Sequence, residues 1–150
     1  MSTLDQIDRR ILREMKLDAK QTNISLAERV GLSPSACLRR VQDLEKRGVI
    51  RGYRAVIDRN RSGAGFLVFV SVGLSDHGKK SLIAFERAMQ AATEVVECHV
   101  VTGSFEYLLR VEVADIHAYK VFRDDVLGVL PQVSSICSFV AMGSPKDDRA

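Results

Sequence analysis

Cysteine is scarce in this chain and badly placed for pairing. Cys37, Cys98 and Cys137 are odd in number and far apart, which argues against a disulfide framework and fits a reducing compartment. No stretch approaches the roughly 18 consecutive apolar residues that a membrane-spanning helix needs. The opening MSTLDQIDRR has no apolar core, so a secretory signal is not expected. Also missing are Cys-x-x-Cys, His-Glu-x-x-His, a nucleophile elbow and a Gly-rich phosphate loop. His77, His99 and His117 are scattered and read as surface or edge residues. His99 follows Cys98 directly, but neighbours on a strand point to opposite faces and make a poor metal pair. No catalytic site, metal or cofactor is therefore expected, and the cysteines read as small core hydrophobes.

The remaining composition is that of an ordinary soluble protein. At 46% hydrophobic and 27% charged, 150 residues can build one domain or two small ones. The net charge of +3 conceals a split. Residues 1–61 hold 14 Lys and Arg against 8 Asp and Glu, while residues 62–150 hold 8 against 11. Charge alone fits either a polyanion-binding half or a solvated basic face.

Periodicity orders the first half. Leu4, Ile7, Ile11, Leu12 and Met15 recur at three- and four-residue steps, predicting a helix over Leu4–Met15 with Thr3 as its N-cap. Ser25 reads as the N-cap of a short helix, with Glu28 completing a capping box and Gly31 as the stop. Ser33-Pro34 opens another helix, with Cys37, Leu38, Val41 and Leu44 facing inward and Gly48 ending it. That is the order of parts in a helix-turn-helix reader of DNA. Val49-Ile50 and Tyr53–Ile57 read as extended chain, and Asp58–Gly65 as a linker.

The second half reads as strand 66–74, helix 79–92, strand 95–102, strand 105–113, helix 116–130 and strand 133–142. The order β-α-β-β-α-β is the ferredoxin-like split unit. The tail from Gly143 is expected to fray.

Two places offer binding chemistry. The open face of the helix from Ser33 to Arg47 carries Ser35, Ala36, Arg39, Arg40, Asp43 and Arg47. Arg39 or Arg40 can pair with guanine O6 and N7, and Ser35 can meet a base or a phosphate. Ser25 and Ser33 sit at helix starts suited to phosphate, and Arg51, Arg54, Arg29 and Lys20 are further phosphate contacts. An isolated amphipathic helix would carry such arginines merely as solvated residues. The capped two-helix unit, the charge split and the preceding helix together favour DNA reading. The second place is Thr102-Gly103-Ser104-Phe105-Glu106. It reads either as an ordinary hairpin with a solvated Glu106 or as a site whose amides and carboxylate meet the two ends of an amino acid.

With these motifs in view, the chain resembles the leucine-responsive/asparagine-synthesis (Lrp/AsnC) family of prokaryotic transcriptional regulators. The likeness covers nearly the whole chain. It runs through LDQIDRRIL, LAERVGLSPSACLRRVQDLEKRGVIRGY and AVID, then ECHVVTGSFEYLLRVEV, Ala118-Tyr119 and LPQVSS. It implies an α+β fold: an N-terminal winged helix-turn-helix with a hinge strand, 1–61, and a C-terminal ferredoxin-like βαββαβ effector and oligomerisation domain, 62–150. It further implies a cytoplasmic, nucleoid-associated regulator that binds double-stranded DNA. A homodimer assembling to an octamer is implied too, with an amino-acid effector held between dimers near Gly103, Ser104, Phe105 and Glu106. The family usually has Asp where this chain has Glu106, and its leucine-responsive members have an acidic residue at the place of Ser104. Ala36 stands at a position that varies among members. The Phe66–Leu74 strand is apolar on both faces, and a partner's sheet would cover the face that helices leave open. The alternative reading is an architectural protein that wraps DNA and answers to no small molecule.

Overall fold

A computed structural model describes residues 4–147. The chain forms two compact units, Met1–Ala55 and Val56–Ala150.

The first unit is three helices: α1 (Gln6–Leu17), α2 (Asn23–Val30) and α3 (Pro34–Lys46). The expected cap Thr3 lies outside the described residues, and Asp5 caps α1 instead. Its side chain accepts from the Asp8 N–H while Asp8 reaches back to the Asp5 N–H, a reciprocal capping box. The cap of α2 is Thr22, not Ser25. Thr22 Oγ1 accepts from the Ser25 N–H at 3.2 Å, so α2 starts earlier than its own apolar pattern suggests, and the Asn23 amide ties its first turn to the Pro34 carbonyl at 2.7 Å. Gly31 ends α2 at φ 74°, where a side chain would be strained. Ile11, Leu26, Ala27, Val30, Cys37 and Leu44 form the core of this unit. Residues 51–58 run on without regular secondary structure.

The second unit opens where a linker was expected. Asp58 caps a short helix, α4 (Arg59–Ser62), which Gly63 ends. Then follow β1 (Phe66–Leu74), α5 (Lys79–Ala91), β2 (Val95–Val100), β3 (Tyr107–Val113), α6 (Ile116–Phe122) and β4 (Val133–Val140). The sheet order is β2-β3-β1-β4 with antiparallel pairs, the ferredoxin-like arrangement. Val68, Val70 and Val72 pair with Val111, Leu109 and Tyr107 and face the helices, meeting Phe85, Met89 and Phe122. The alternate residues Leu67, Phe69 and Ser71 face the other side with Arg110, Cys137 and Phe139.

Helix 116–130 does not run through. After Phe122 a single π-type turn, Arg123–Leu127, closes with the Gly128 N–H bonded to the Arg123 carbonyl at 2.8 Å. The five-residue step puts Leu127 in the core, where a four-residue step would have put Val126. A Cβ on Gly128 would lie 2.8 Å from the Asp124 carbonyl oxygen, so the wide turn needs glycine there. The tail, expected to fray from Gly143, is tied at Asp147, whose carboxylate is gripped by Arg59 and Arg110. Cys37 is buried as expected, but Cys98 and Cys137 are exposed, because each lies on an edge strand of the sheet.

Candidate nucleic-acid interface and effector turn

Helix α3 begins with Ser33 as cap and Pro34 in the first turn. Ser33 Oγ accepts from the Ala36 N–H at 3.3 Å and lies 3.3 Å from Ser35 Oγ. Cys37 and Leu44 are fully buried, and burial pushes the Cys37 thiol up. Leu38, expected inside, is 46% exposed. At about 100° per residue it stands a quarter-turn off the Cys37–Val41–Leu44 line. Opposite that line, Ser35, Arg39, Gln42 and Lys46 are all exposed, at steps of four, three and four. Gln42 and Lys46 are absent from the sequence reading. The complement of the buried stripe would have found them.

The two adjacent arginines go different ways. Arg39 is exposed and has no partner among the described residues. Arg40, expected on the open face, turns to α1: its Nη1 donates to Asp5 Oδ2 at 2.6 Å and to Asp8 Oδ1 at 2.8 Å. The two carboxylates raise its pKa further. The Asp8 N–H first, and Arg40 next, hold the Asp5 carboxyl below its ordinary value of 3.8. A depressed carboxylate contributes stability that is complete above the unfolded value and is lost as pH falls through the folded one. Carboxyl NMR should therefore give Asp5 a midpoint below 3.8, and Arg40→Ala should move it upward. An unchanged midpoint in that variant would show that Arg40 does not act on Asp5.

The other candidates spread around this helix. Ser25 is half-buried in the first turn of α2 and donates its N–H to Thr22 Oγ1 at 3.2 Å. Ala36 is half-buried. Arg47 pairs with Asp43 at 2.9 Å, four residues back. Arg29 pairs with Glu14 at 3.2 Å. Arg51, Arg54 and Lys20 are exposed. Tyr53 donates to Glu45 Oε1 at 2.6 Å, and burial together with that carboxylate pushes its hydroxyl up to about 12. This bond fastens the chain beyond Gly52 to the end of α3.

At the β2–β3 connection, Thr102, Gly103 and Ser104 are exposed while Phe105 and Glu106 are half-buried. Gly103 has φ 139° with open space around it, so the backbone conformation, not crowding, demands glycine. The Glu106 carboxylate is engaged within the chain. Oε2 accepts from the Leu74 N–H at 2.7 Å, and Oε1 lies 3.0 Å from His77 Nε2. The Leu74 bond first, and His77 after it, hold the carboxyl below its usual range against partial desolvation. His77 lies 29 residues away in sequence, so residue order alone does not mark it as a partner of Glu106. Among the described residues no group of His, Cys, Asp and Glu side chains is arranged for a metal, and no helix is long and apolar enough to cross a membrane.

Comparison with known proteins agrees with both halves. The model of the Lrp/AsnC ligand binding domain matches residues 67–150, and that of a winged helix-turn-helix DNA-binding domain matches residues 4–51. The leucine-responsive regulatory proteins of Salmonella typhimurium and Escherichia coli K12 are each 41% identical over 146 residues, covering 97% of this chain and 89% of theirs. A transcriptional regulator of Neisseria meningitidis, solved in complex with L-Met, superimposes with a TM-score of 0.92 at 32% identity, covering 97% of this chain and 94% of that one. An AsnC family regulator from Agrobacterium tumefaciens gives 0.91 at 36% identity, covering 95% and 93%. The chain belongs to the Lrp/AsnC family: it is a DNA-binding transcriptional regulator with a winged helix-turn-helix unit and a ligand-binding ferredoxin-like domain.

Proposed function

We propose that this regulator reads its operator with α3 and is tuned by a small amino acid at the turn Thr102–Glu106. The observation that carries the first half is the exposed stripe Ser35–Arg39–Gln42–Lys46, opposite a buried seam and next to the capped helix start at Ser33. Ser25, Ser33 and Arg51 take phosphates in this reading, and Arg47 and Ala36 flank the groove. The regulator works as a homodimer that assembles to an octamer. Support comes from the sheet face that the helices leave open, where Phe139 is 54% exposed. Two α3 helices on one side of DNA would meet half-sites about 34 Å apart, or a multiple of that. The protein acts by binding and not by catalysis, in the cytoplasm, on the nucleoid.

The effector's carboxylate would take the exposed amides of the turn, and its ammonium would take Glu106. A relative of the same fold has been solved with L-Met bound, which supports an amino acid as the ligand class. A ligand that binds only the folded state raises stability by mass action, about 2.7 kcal/mol at a hundredfold excess over Kd. Titrating the standard amino acids while following thermal unfolding should give a saturable rise with at least one of them, and Glu106→Gln should remove it. No rise with any amino acid at millimolar concentration would leave an architectural DNA-wrapping protein instead.

A further inference from the structure

We propose that α3 divides its neighbouring arginines between two tasks: Arg39 reads base edges together with Gln42, whereas Arg40 is a positioning residue that stays on α1 and sets how α3 is rotated. The inference rests on the reading of α3 as the DNA-facing helix.

Adjacent helical residues point about 100° apart, so two consecutive arginines cannot share one face. Arg39 stands in the exposed stripe with Ser35, Gln42 and Lys46. Arg40 stands on the flank toward α1, within 2.6 Å of Asp5 and 2.8 Å of Asp8. That pair of acceptors is prepared before Arg40 meets it. Asp5 Oδ1 accepts from the Asp8 N–H at 2.7 Å, and Asp8 Oδ2 accepts from the Asp5 N–H at 3.3 Å. The capping box thus aims one oxygen of each carboxylate at the same guanidinium. Asp8 is only 6% exposed. Drawing Arg40 away to a phosphate would strand a nearly buried carboxylate, which is a strongly unfavourable exchange. The lock therefore persists when DNA binds. Because it ties a fixed point on α3 to the first turn of α1, it governs the direction in which the stripe points.

The stripe then carries the specificity. Arg39 and Gln42 are three residues apart, about 4.5 Å along the helix axis. The base-pair rise is about 3.4 Å, so they meet neighbouring base pairs. A guanidinium pairs with guanine O6 and N7, and a carboxamide with adenine N6 and N7. Each half-site should accordingly hold a guanine next to or one step from an adenine, with Lys46 on phosphate.

Affinity selection from a randomised duplex pool tests this with the full-length protein. The parent chain should select half-sites with guanine and adenine in that relation. Arg39→Ala should erase the guanine preference and Gln42→Ala the adenine preference, each by about 5- to 150-fold in discrimination. Arg40→Ala and Asp8→Asn should still favour the same bases, with discrimination at the guanine and adenine positions reduced together because the whole stripe is misdirected. They should also bind the selected duplex severalfold more weakly and melt at lower temperature. Asp8→Asn separates the explanations, because it removes a negative charge and a purely electrostatic role would make binding tighter. Should Arg40→Ala fail to fold, Arg40→Lys carries the same expectation, with a smaller joint loss of discrimination and affinity. Loss of one base preference with the other untouched on changing Arg40, or tighter binding by Asp8→Asn, overturns the positioning role. Retention of the parental motif by Arg39→Ala and Gln42→Ala overturns the reading of α3 as well.

Discussion

Replacing Arg110 with alanine is expected to lower the unfolding free energy by about 3 to 5 kcal/mol. Arg110 is 9% exposed and lies among opposite charges. Its Nε donates to Glu112 Oε1 at 3.0 Å, and its Nη2 donates to Asp147. Arg59 reaches the same two acids, Glu112 at 3.3 Å and Asp147 at 3.1 Å. Two cations and two anions thus alternate, with Arg110 also 6.0 Å from the centre of the Phe69 ring. Burial works against the Arg110 charge, but Asp147 and Glu112 outweigh it and raise its pKa. Removing this guanidinium leaves two carboxylates of low exposure facing a single arginine. Urea unfolding at fixed protein concentration measures the loss, and a change below about 1 kcal/mol would contradict the buried-pair argument. Arg61→Ala supplies the contrast. Its side chain is 91% exposed and pairs with Asp58 at 3.5 Å, so its removal should matter by less than about 0.5 kcal/mol. The network joins α4 and the tail to β3, the strand that leaves the turn Thr102–Glu106 proposed to hold the effector, so Arg110→Ala also tests whether that strand is held from its far end.

Phe85→Ala is expected to cost a similar amount, about 3 to 5 kcal/mol, for a different reason. The ring is fully buried on α5 and lies 4.5 Å from the Tyr107 ring, centre to centre, at 39°. Truncation removes the apolar transfer term and leaves a cavity beside Tyr107 that the surrounding valines cannot close. Tyr107 directly follows Glu106, and its hydroxyl donates to Glu86 at 2.9 Å, so loosening the ring loosens the turn. A drop in the denaturation midpoint accompanied by a weaker amino-acid-induced rise in melting temperature is the expected pair of results. An unfolding free energy within about 0.5 kcal/mol of the parent would show that the core collapses into the space. Val121→Ala, on a side chain 46% exposed, should change little.

Much of the architecture was legible because its signals are local. Ser33-Pro34, Gly31 and Gly48 mark helix ends by hydroxyl capping, fixed φ and the left-handed conformation, none of which needs a distant partner. The strand Phe66–Leu74 showed its bounds because it is an uninterrupted apolar run between polar loops. The failures have equally specific causes. Ser25 and Glu28 match a capping box, but Thr22 offers a hydroxyl of the same kind three residues earlier and takes the Ser25 N–H itself, so α2 starts a turn sooner. The π-type turn after Phe122 hides behind a good helical period, because inserting one residue shifts the buried position only from Val126 to Leu127. Asp58–Gly65 has linker composition, yet Asp58 caps a helical turn within it and Arg59 is drawn to Glu112 across 53 residues. The tail looks unsupported until Asp147 is seen between Arg59 and Arg110.

The candidate sites divide along the same line. Residue order alone determined that a capped helix carries paired arginines, that a glycine turn precedes an acidic residue, and that both sit in an α+β chain with a basic front half. Those are properties of periodicity, capping and composition, which act over one or two turns of chain. Only the tertiary structure decided which arginine is free, since the acids that hold Arg40 lie 35 and 32 residues before it on another helix. Only the pairing of β1 with β3 brought Leu74 and His77 to Glu106 and fixed the orientation of a carboxylate that the sequence leaves undetermined. A side chain's chemistry is local, but its availability depends on which distant donors and acceptors folding places within about 3 Å of it.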